Sequence, residues 1–471
     1  MNLKTKQTKI RQNYNAIELM WFLFIFLIAS SIFATSQSII TTALVPIMED
    51  FNVSSIIAQW TYSIFLLTLG VVIPLNAFIS RRFKAKTVYI SAVSCFIIGS
   101  LLCYLSWNII TLIMGRILQA IAYGIIMPYT QILLLKIVPE NQWQMFMGIY
   151  GISIAFTSVL GMILGGYIID IYGWKNIFSI FIVLSLFTLV LGLLFVKVDF
   201  GCEDYPLDVA SAILSFVGCF GVIFGFTNIS QFSLISINVI MPVIVGVICL
   251  VLFFKRQNRI EKPLINLNIL KNRYFTIGIL VLAIGYFMYN GCTALIPIFV
   301  QGIASYDAIT TSLIVFPGGV ALIIFNFVGP LLATRFGIKT PIFLGCTGLM
   351  IGHILMIFFT RDSSVVFLAV SQFIRYVGFG LLFIPILTWA ISMVSDKSED
   401  ASTVYNTSRE IVGSIGSSIL VVVTSALAGG EIGPNSVSEV AFTQTSIILV
   451  ILTAAIFIIS MLFIKEKDEI Y

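Results

Sequence analysis

The sequence has little charge. Of its 471 residues, 10% are Asp, Glu, Lys or Arg, against roughly 25% in an ordinary soluble domain. A water-facing surface of normal polarity cannot be built from so few ionised side chains. Soluble globular, disordered, collagen-like and disulfide-scaffold classes are therefore excluded. Histidine is reduced to one residue, His353, which leaves no material for a histidine-based metal cluster. Seven cysteines stand singly, at Cys95, Cys103, Cys202, Cys219, Cys249, Cys292 and Cys346. None has CxxC or Cys/His spacing, so they read as small packing residues and no metal site is expected. The net charge is only +5, and no segment is left over for a folded basic module, so a nucleic-acid partner is not expected.

Apolar residues fill the space that charge vacates, at 59% of the chain with a mean hydropathy of +1.07. They fall in long runs, unlike the short alternating strands of a membrane barrel. A spanning helix needs about 20 mostly apolar residues. On that criterion the sequence predicts fourteen spans: 19–45, 57–80, 87–107, 109–137, 145–169, 176–197, 207–228, 235–254, 274–300, 310–333, 340–360, 364–394, 403–428 and 443–464. The first follows Lys4, Lys6, Lys9 and Arg11, but it is too long for a signal-peptide core, so it is expected to be retained. With the N-terminus inside, 21 of the 26 Lys and Arg residues fall on the inner side, two (Lys175 and Arg361) outside and three within spans. That asymmetry predicts a multi-pass protein of the cell membrane with both termini cytoplasmic. The longest inner connector, 255–273, is basic with interleaved apolar residues and reads as an amphipathic piece at the headgroup surface.

Local patterns recur far apart. Asn76–Lys86 (NAFISRRFKAK) is echoed by Gly329–Lys339 (GPLLATRFGIK), an offset of 253 residues. Arg116 with Gly124 and Pro128 is echoed by Arg375 with Gly378, Gly380 and Pro385, an offset of 259 residues. Two matches at nearly one offset predict duplicated halves. The organisation expected is a six-helix bundle over 1–200, two linking helices with a connector over 201–273, and a second six-helix bundle over 274–471. Repeated helical halves commonly enclose a midplane site in secondary transporters, whereas a membrane enzyme would need a His/Asp/Glu cluster at one face. No enzymatic activity is expected.

Seven segments carry a family resemblance, in order along the chain: TTALVPIMEDFNVS (41–54), QWTYSIFLLTLGVVIPL (59–75), RILQAIAYGIIMP (116–128), GMILGGYIIDIYGWKNIF (161–178), KPLINLNILKNRYF (262–275), FPGG (316–319) and NTSREIVGSIG (406–416). The fourth is similar to the antiporter pattern GPxxGGxxxDxxxWRWIF. On these segments the chain resembles the fourteen-helix drug:proton antiporter branch of the major facilitator superfamily, the multidrug and lincomycin-type exporters. The resemblance implies an all-α membrane fold of two six-helix bundles with two inserted helices. It also implies alternating access, with export of amphipathic small molecules in exchange for protons. The implied partners are that substrate, protons and the lipid bilayer; the chain is expected to act as a monomer and to need no cofactor beyond the proton gradient. A major facilitator importer or facilitator of a small metabolite or lipid-like solute, without proton antiport, is the alternative.

Departures from the family pattern sharpen the candidate residues. Ser36 stands where the branch often has a span-one acid, which moves proton coupling elsewhere and argues against strongly cationic substrates. Glu410 stands where the pattern has Gln and is the only carboxylate placed inside a span away from its ends. It either titrates or lies in a wet vestibule, and its neighbour Arg409 should diverge from it by about 100° around the helix. Arg116, about 10 Å below the outer face by helical rise, either snorkels or meets a partner. His353 either packs or touches a proton. The proton-coupling candidates are thus Glu410, Arg116, Asp170 and His353. Candidates for the cavity and substrate are Gln37, Trp60, Tyr123, Tyr289, Asn290, Arg375 and Arg409. Gating and packing candidates are Arg82, Lys86 and Arg335 in the repeated basic loops, with Gly161, Gly165 and Gly166 in span five. The loop after span two lacks the family's Asp and Gly, having Arg81 and Lys84, so its basic run either latches the halves or anchors to lipid.

Overall fold

The computed structural model describes residues 14–53, 55–196, 206–228, 236–428 and 438–465. Among the described residues fourteen long helices follow one another: α1 (Ala16–Ile39), α2 (Ser55–Val72), α3 (Ala85–Tyr104), α4 (Ile109–Ile137), α5 (Trp143–Tyr172), α6 (Asn176–Phe195), α7 (Val209–Asn228), α8 (Ile237–Gln257), α9 (Arg273–Pro297), α10 (Ala308–Phe336), α11 (Lys339–Ile357), α12 (Val365–Ser392), α13 (Ser398–Leu427) and α14 (Glu439–Phe463). Thirteen are long and apolar enough to cross a membrane; the fourteenth, α5, is a 30-residue helix containing side chains outside the described residues. The chain is a multi-pass membrane protein.

Spans one and two are interrupted where proline removes a backbone donor. In span one, α1 tightens into a 3-10 turn, Ile40–Ala43, and resumes as Leu44–Phe51, which contains Pro46. In span two, Pro74 sits in the 3-10 turn Ile73–Leu75, beyond which Asn76–Arg82 continues the helix to the loop. Polar side chains close several helix starts: Asn108 accepts from Thr111 N–H, Asn272 from Tyr274 and Phe275, and Asp307 from Thr310. Such caps satisfy donors that have no intrahelical partner.

The packing carries the duplication. In the first six helices, α1 packs on α4, α5 and α6; α2 packs on α4; and α3 packs on α4 and α6. The same six pairings recur eight helices later: α9 on α12, α13 and α14; α10 on α12; α11 on α12 and α14. A close backbone crossing is repeated as well. A methyl built on Gly99 of α3 would lie 2.7 Å from the Gly115 carbonyl of α4, and one built on Gly378 of α12 would lie 2.7 Å from the Gly345 carbonyl of α11. Small residues allow this backbone approach where lipid supplies no hydrophobic drive. The two halves meet along α5 with α10 and α2 with α13, two contacts that exchange under the same shift of eight. Helices α7 and α8 pair with each other, and α7 lies against α2 and α13, outside that second seam.

The connector does not lie on the headgroup surface as its composition suggests. Leu264, Ile265, Leu267 and Ile269 are buried in the core, and Asn272 donates to the Met393 carbonyl at 3.0 Å. Its apolar residues are close enough together to face inward, and the ends of α12 and α13 offer them a surface.

Candidate functional site

The halves are joined at the end that bears the basic loops. Arg81, in the last turn of Asn76–Arg82, donates from Nε to Glu399 Oε2 at 3.1 Å and from Nη2 to Asp400 Oδ2. Ser80 donates to the same Glu399 oxygen at 3.1 Å, and Lys136, at the end of α4, lies 2.6 Å from Glu399 Oε1. Asp400 is 1% exposed and its other oxygen accepts the Asn266 N–H of the connector at 2.8 Å. One turn deeper, Gln131 Oε1 of α4 accepts from Ser402 at 2.7 Å and from Asn406 at 2.6 Å, both on α13. At the other seam, Gln144 donates to the Pro385 carbonyl at 3.2 Å, and Gly148 and Gly151 let α5 approach Asn326, Pro330 and Ile384.

Arg81, which carries this latch, is not one of the cations singled out as gating candidates. Lys86 donates to the Leu193 carbonyl at 2.9 Å, at the C-terminus of α6 in its own half, where a cation meets the negative end of a helix. Arg335 is exposed at the end of α10. The contact that crosses between halves falls on Arg81, beside Arg82, in the position where the family pattern has an acid. Sequence reasoning offered the basic run as a latch without singling out Arg81, and missed Lys136, Glu399 and Asp400. The available signal was the adjacent acidic pair at the start of a span whose end carries only basic loops.

Deeper in the bundle lie Arg409 and Glu410. Adjacent helical residues should diverge, yet Arg409 Nη2 is 2.6 Å and Nε 3.1 Å from Glu410 Oε1. The long arginine stem folds around the helix to reach its neighbour, so the expectation of separate groups is corrected. Both stay partly accessible, at 21% and 15%. Around them gather tyrosines from both halves. The Arg409 guanidinium lies 5.8 Å from the Tyr286 ring centre. Tyr286 shares a 3.0 Å hydrogen bond with Tyr405 and stacks on Phe383 at 4.3 Å. Tyr289 meets Tyr376 edge-on at 5.7 Å and Phe379 at 5.2 Å. Asn290 donates to the Tyr286 carbonyl at 3.2 Å. From the first half, Tyr123 lies within electrostatic reach of both Arg409 and Glu410, and Tyr62 of Glu410 and Arg116. Tyr123, Tyr289, Asn290, Arg409 and Glu410 are thus brought together, joined by Tyr62, Tyr286 and Tyr405, which the sequence did not single out. Gln37 is half-buried on α1. Trp60 is elsewhere: its ring lies 5.9 Å from Phe224 of α7, on the side of the inserted pair.

Arg116 does not snorkel. It is wholly buried, with Nη1 donating to the Ser36 carbonyl (3.1 Å), Ser36 Oγ (2.9 Å) and Gln119 Oε1 (2.7 Å), and Nε to the Thr61 carbonyl (3.2 Å). Its face covers the Phe65 ring at 4.3 Å. The cradle is neutral throughout: the residue met at the position of the branch's acid is Ser36. Arg375, 1% exposed, is its counterpart in the second half. It donates to Gln372 Oε1 at 3.0 Å and lies 4.7 Å from the Tyr376 ring centre and 5.7 Å from that of Phe379. Mid-span depth suggested a cavity-lining arginine, but the guanidinium is packed inside α12's own bundle. Arg116 Nη2 and Arg375 Nη1 have no hydrogen-bond partner.

His353 is also buried, 2.8 Å from Thr453 Oγ1 through Nδ1 and 3.9 Å from Cys292 Sγ through Nε2. It packs among α9, α12 and α14, its ring 6.5 Å from that of Phe379. The span-five glycines divide by partner. Methyls built on Gly161 and Gly165 would meet Thr35 at 2.8 Å and Ile39 at 2.5 Å, both on α1 of the same half. That pair is therefore an intra-half crossing, while Gly148 and Gly151 serve the interface between halves. The side chains of Asp170 and Gly166 lie outside the described residues. Among those residues, no group of three or more His, Cys, Asp or Glu could hold a metal ion.

Two six-helix units related by an internal two-fold, meeting at a polar centre and sealed at one end, define a multi-pass membrane transporter. Comparison with known proteins places it further. The chain belongs to the Major Facilitator Superfamily, whose family model matches residues 26–417. It is 29% identical over 399 residues to the transporter YcnB of Bacillus subtilis, covering 83% of each chain, a relative itself described as uncharacterised. It is 28% identical over 454 residues to the lincomycin resistance protein LmrB of Listeria monocytogenes, covering 94% of this chain and 96% of that one. Among solved structures, the proton:xylose symporter XylE matches with a TM-score of 0.65 at 12% identity, over 96% of this chain and 97% of that one.

Proposed function

We propose that the protein exports amphipathic small molecules across the cell membrane in exchange for protons, as a monomer with both termini in the cytoplasm. Residues 1–200 and 274–471 are the two bodies that rock, and 201–273 links them. The observation that carries this reading is Glu410, an acid held by Arg409 among tyrosines of both halves. With Glu410 ionised the pair is neutral; a proton on Glu410 removes the partner of Arg409 and leaves positive charge at the seam. An ionisable side chain inside a membrane bundle commonly marks a proton pathway. Arg116 has only neutral partners and does not share this duty.

Similarity to a lincomycin resistance protein and to the multidrug transporter MdtP of Bacillus subtilis supports export of drug-like molecules. The seal at the basic end supports an alternation in which that end, taken as cytoplasmic by the positive-inside rule, is closed in this state. Purified protein in proteoliposomes tests the reading. Substrate movement should follow an imposed proton gradient and lose that dependence in Glu410→Gln, with gradient-free exchange retained. Unchanged coupling in Glu410→Gln removes Glu410 from the pathway. Facilitated flux indifferent to the gradient in the parent protein replaces antiport by the facilitator alternative.

A further inference from the structure

Away from the span ends, the sequence places three guanidiniums, Arg116, Arg375 and Arg409, and one carboxylate, Glu410. Arg409 and Glu410 cancel at 2.6 Å. The other two arginines are buried, have no carboxylate partner among the described residues and each keep one nitrogen without a hydrogen bond. Arginine stays protonated in proteins, so two positive charges remain, one in each half. They flank the centre: Arg116 covers the Phe65 ring at 4.3 Å, which lies 6.1 Å from Tyr123, and Arg375 lies 4.7 Å from the Tyr376 ring, which lies 5.7 Å from Tyr289. A buried charge with neutral partners is poorly screened, and its field extends into the space between the halves.

The geometry points to charge selection at this centre: Arg116 and Arg375 exclude amphiphiles with a fixed positive charge, and the substrate class is neutral or anionic. The inference rests on the exporter reading for where the substrate sits, and deepens it. Ser36 is the residue that sets the polarity in the first half. An acid at that position would lie against Arg116 Nη1, which Ser36 Oγ already meets at 2.9 Å, and would cancel its charge. At about 10 Å and an effective dielectric constant of about 20, each uncancelled guanidinium weakens a bound cation roughly tenfold.

Two dyes with the same xanthene ring and opposite charge test this by equilibrium binding to the purified chain in nanodiscs, which needs no proton gradient. Two guanidiniums, each weakening the cation and tightening the anion about tenfold, should make fluorescein, the anion, bind about ten-thousandfold tighter than rhodamine 123, the cation. Ser36→Asp should tighten rhodamine 123 about tenfold and weaken fluorescein. Arg375→Gln should do the same from the other half, which keeps the test open if Ser36→Asp fails to fold. Equal affinities, or tighter binding of rhodamine 123, overturn charge selection and leave the exporter reading to the flux experiment. Binding of neither dye overturns it as well. A preference for fluorescein unmoved by both substitutions overturns the assignment to Arg116 and Arg375.

Discussion

Removing Arg81 should open the basic end. Arg81 is 14% exposed and bridges Glu399 at 16% and Asp400 at 1%. In Arg81→Ala, Glu399 retains Lys136, but Asp400 is left buried with only the Asn266 N–H. Exposed ion pairs contribute about 0–1 kcal/mol, whereas breaking a buried one costs about 3–5 kcal/mol. Partial exposure of Arg81 places this loss between them, at about 2–3 kcal/mol. If the open state releases Asp400 to water, the closed state alone bears that cost, and the closed-to-open ratio falls about 30- to 150-fold.

Cysteine accessibility reads the shift. Ser402 is fully buried against Gln131 of the opposite half, so Ser402→Cys is protected while the latch holds. In a background with the native cysteines replaced, a membrane-impermeant maleimide added at the basic face should label it about 30- to 150-fold faster once Arg81 is Ala. Asp400→Asn supplies the decisive arm. An amide at that position is tolerated without a cation, so Arg81→Ala should cost less than about 1 kcal/mol in that background. If labelling does not respond to Arg81→Ala, or if the two substitutions act additively, Arg81 and Asp400 do not form the latch.

The connector should contribute to the same closure through one backbone donor. Asn266 has φ of −77°, which proline accepts, so Asn266→Pro removes the N–H while Asn266→Ala keeps it; only the proline variant should raise labelling of Ser402→Cys. Gly378→Ala should lower the apparent Tm in detergent, because the added methyl would stand 2.5 Å from Leu349 N and 2.7 Å from the Gly345 carbonyl; overpacking of this kind costs about 1–3 kcal/mol. Asp208, just before α7, is hydrogen-bonded by Arg256 of α8 at 2.8 and 2.9 Å, and this pairing lowers its pKa from 3.8 to about 2. The folded-state value is depressed, so its stabilisation is present above pH 3.8 and lost as pH falls through about 2. Asp208→Asn should therefore cost up to about 1 kcal/mol at neutral pH, and a thermal-melt series should show parent and variant converging as pH drops below about 4.

What was legible in the sequence followed from constraints that act locally. Lipid forces every span to satisfy its own backbone, so apolar runs predict the helices closely, and α4 occupies 109–137 as expected. The repeat was legible for the same reason: Arg82 and Arg335 end corresponding helices, as Arg116 and Arg375 occupy corresponding ones. The position of Ser36 was legible through resemblance, and Arg116 does touch it. What failed needed knowledge of facing surfaces. Arg81 and its acids are separated by more than 300 residues, and nothing local distinguishes it from Arg82. Depth along α12 located Arg375 in the membrane but not on which side of its helix the guanidinium packs. Helical periodicity separated Arg409 from Glu410 by direction, and a side chain with four rotatable bonds overrode it.

The halves are duplicated in backbone but not in chemistry, and α13 shows why that matters. Its counterpart is α5, by the shift of eight that relates the pairings. The stretch of α5 that faces α10 near Gly148 and Gly151 carries no acid. On α13, by contrast, Glu399 and Asp400 bind the first half at the basic end, and Glu410 sits at the centre. Ten residues separate Asp400 from Glu410 on one uninterrupted helix, about 15 Å of rise. A helix is stiff over that length, so charge at Glu410 and pairing at Asp400 both bear on how α13 sits against α2 and α4. On the proposed antiport reading, protonation of one and rupture of the other would be coupled through rigid-body displacement, with no relay of side chains between them. On the same reading the first half needs no acid of its own, because Arg81 and its tyrosines present the surface against which α13 would move.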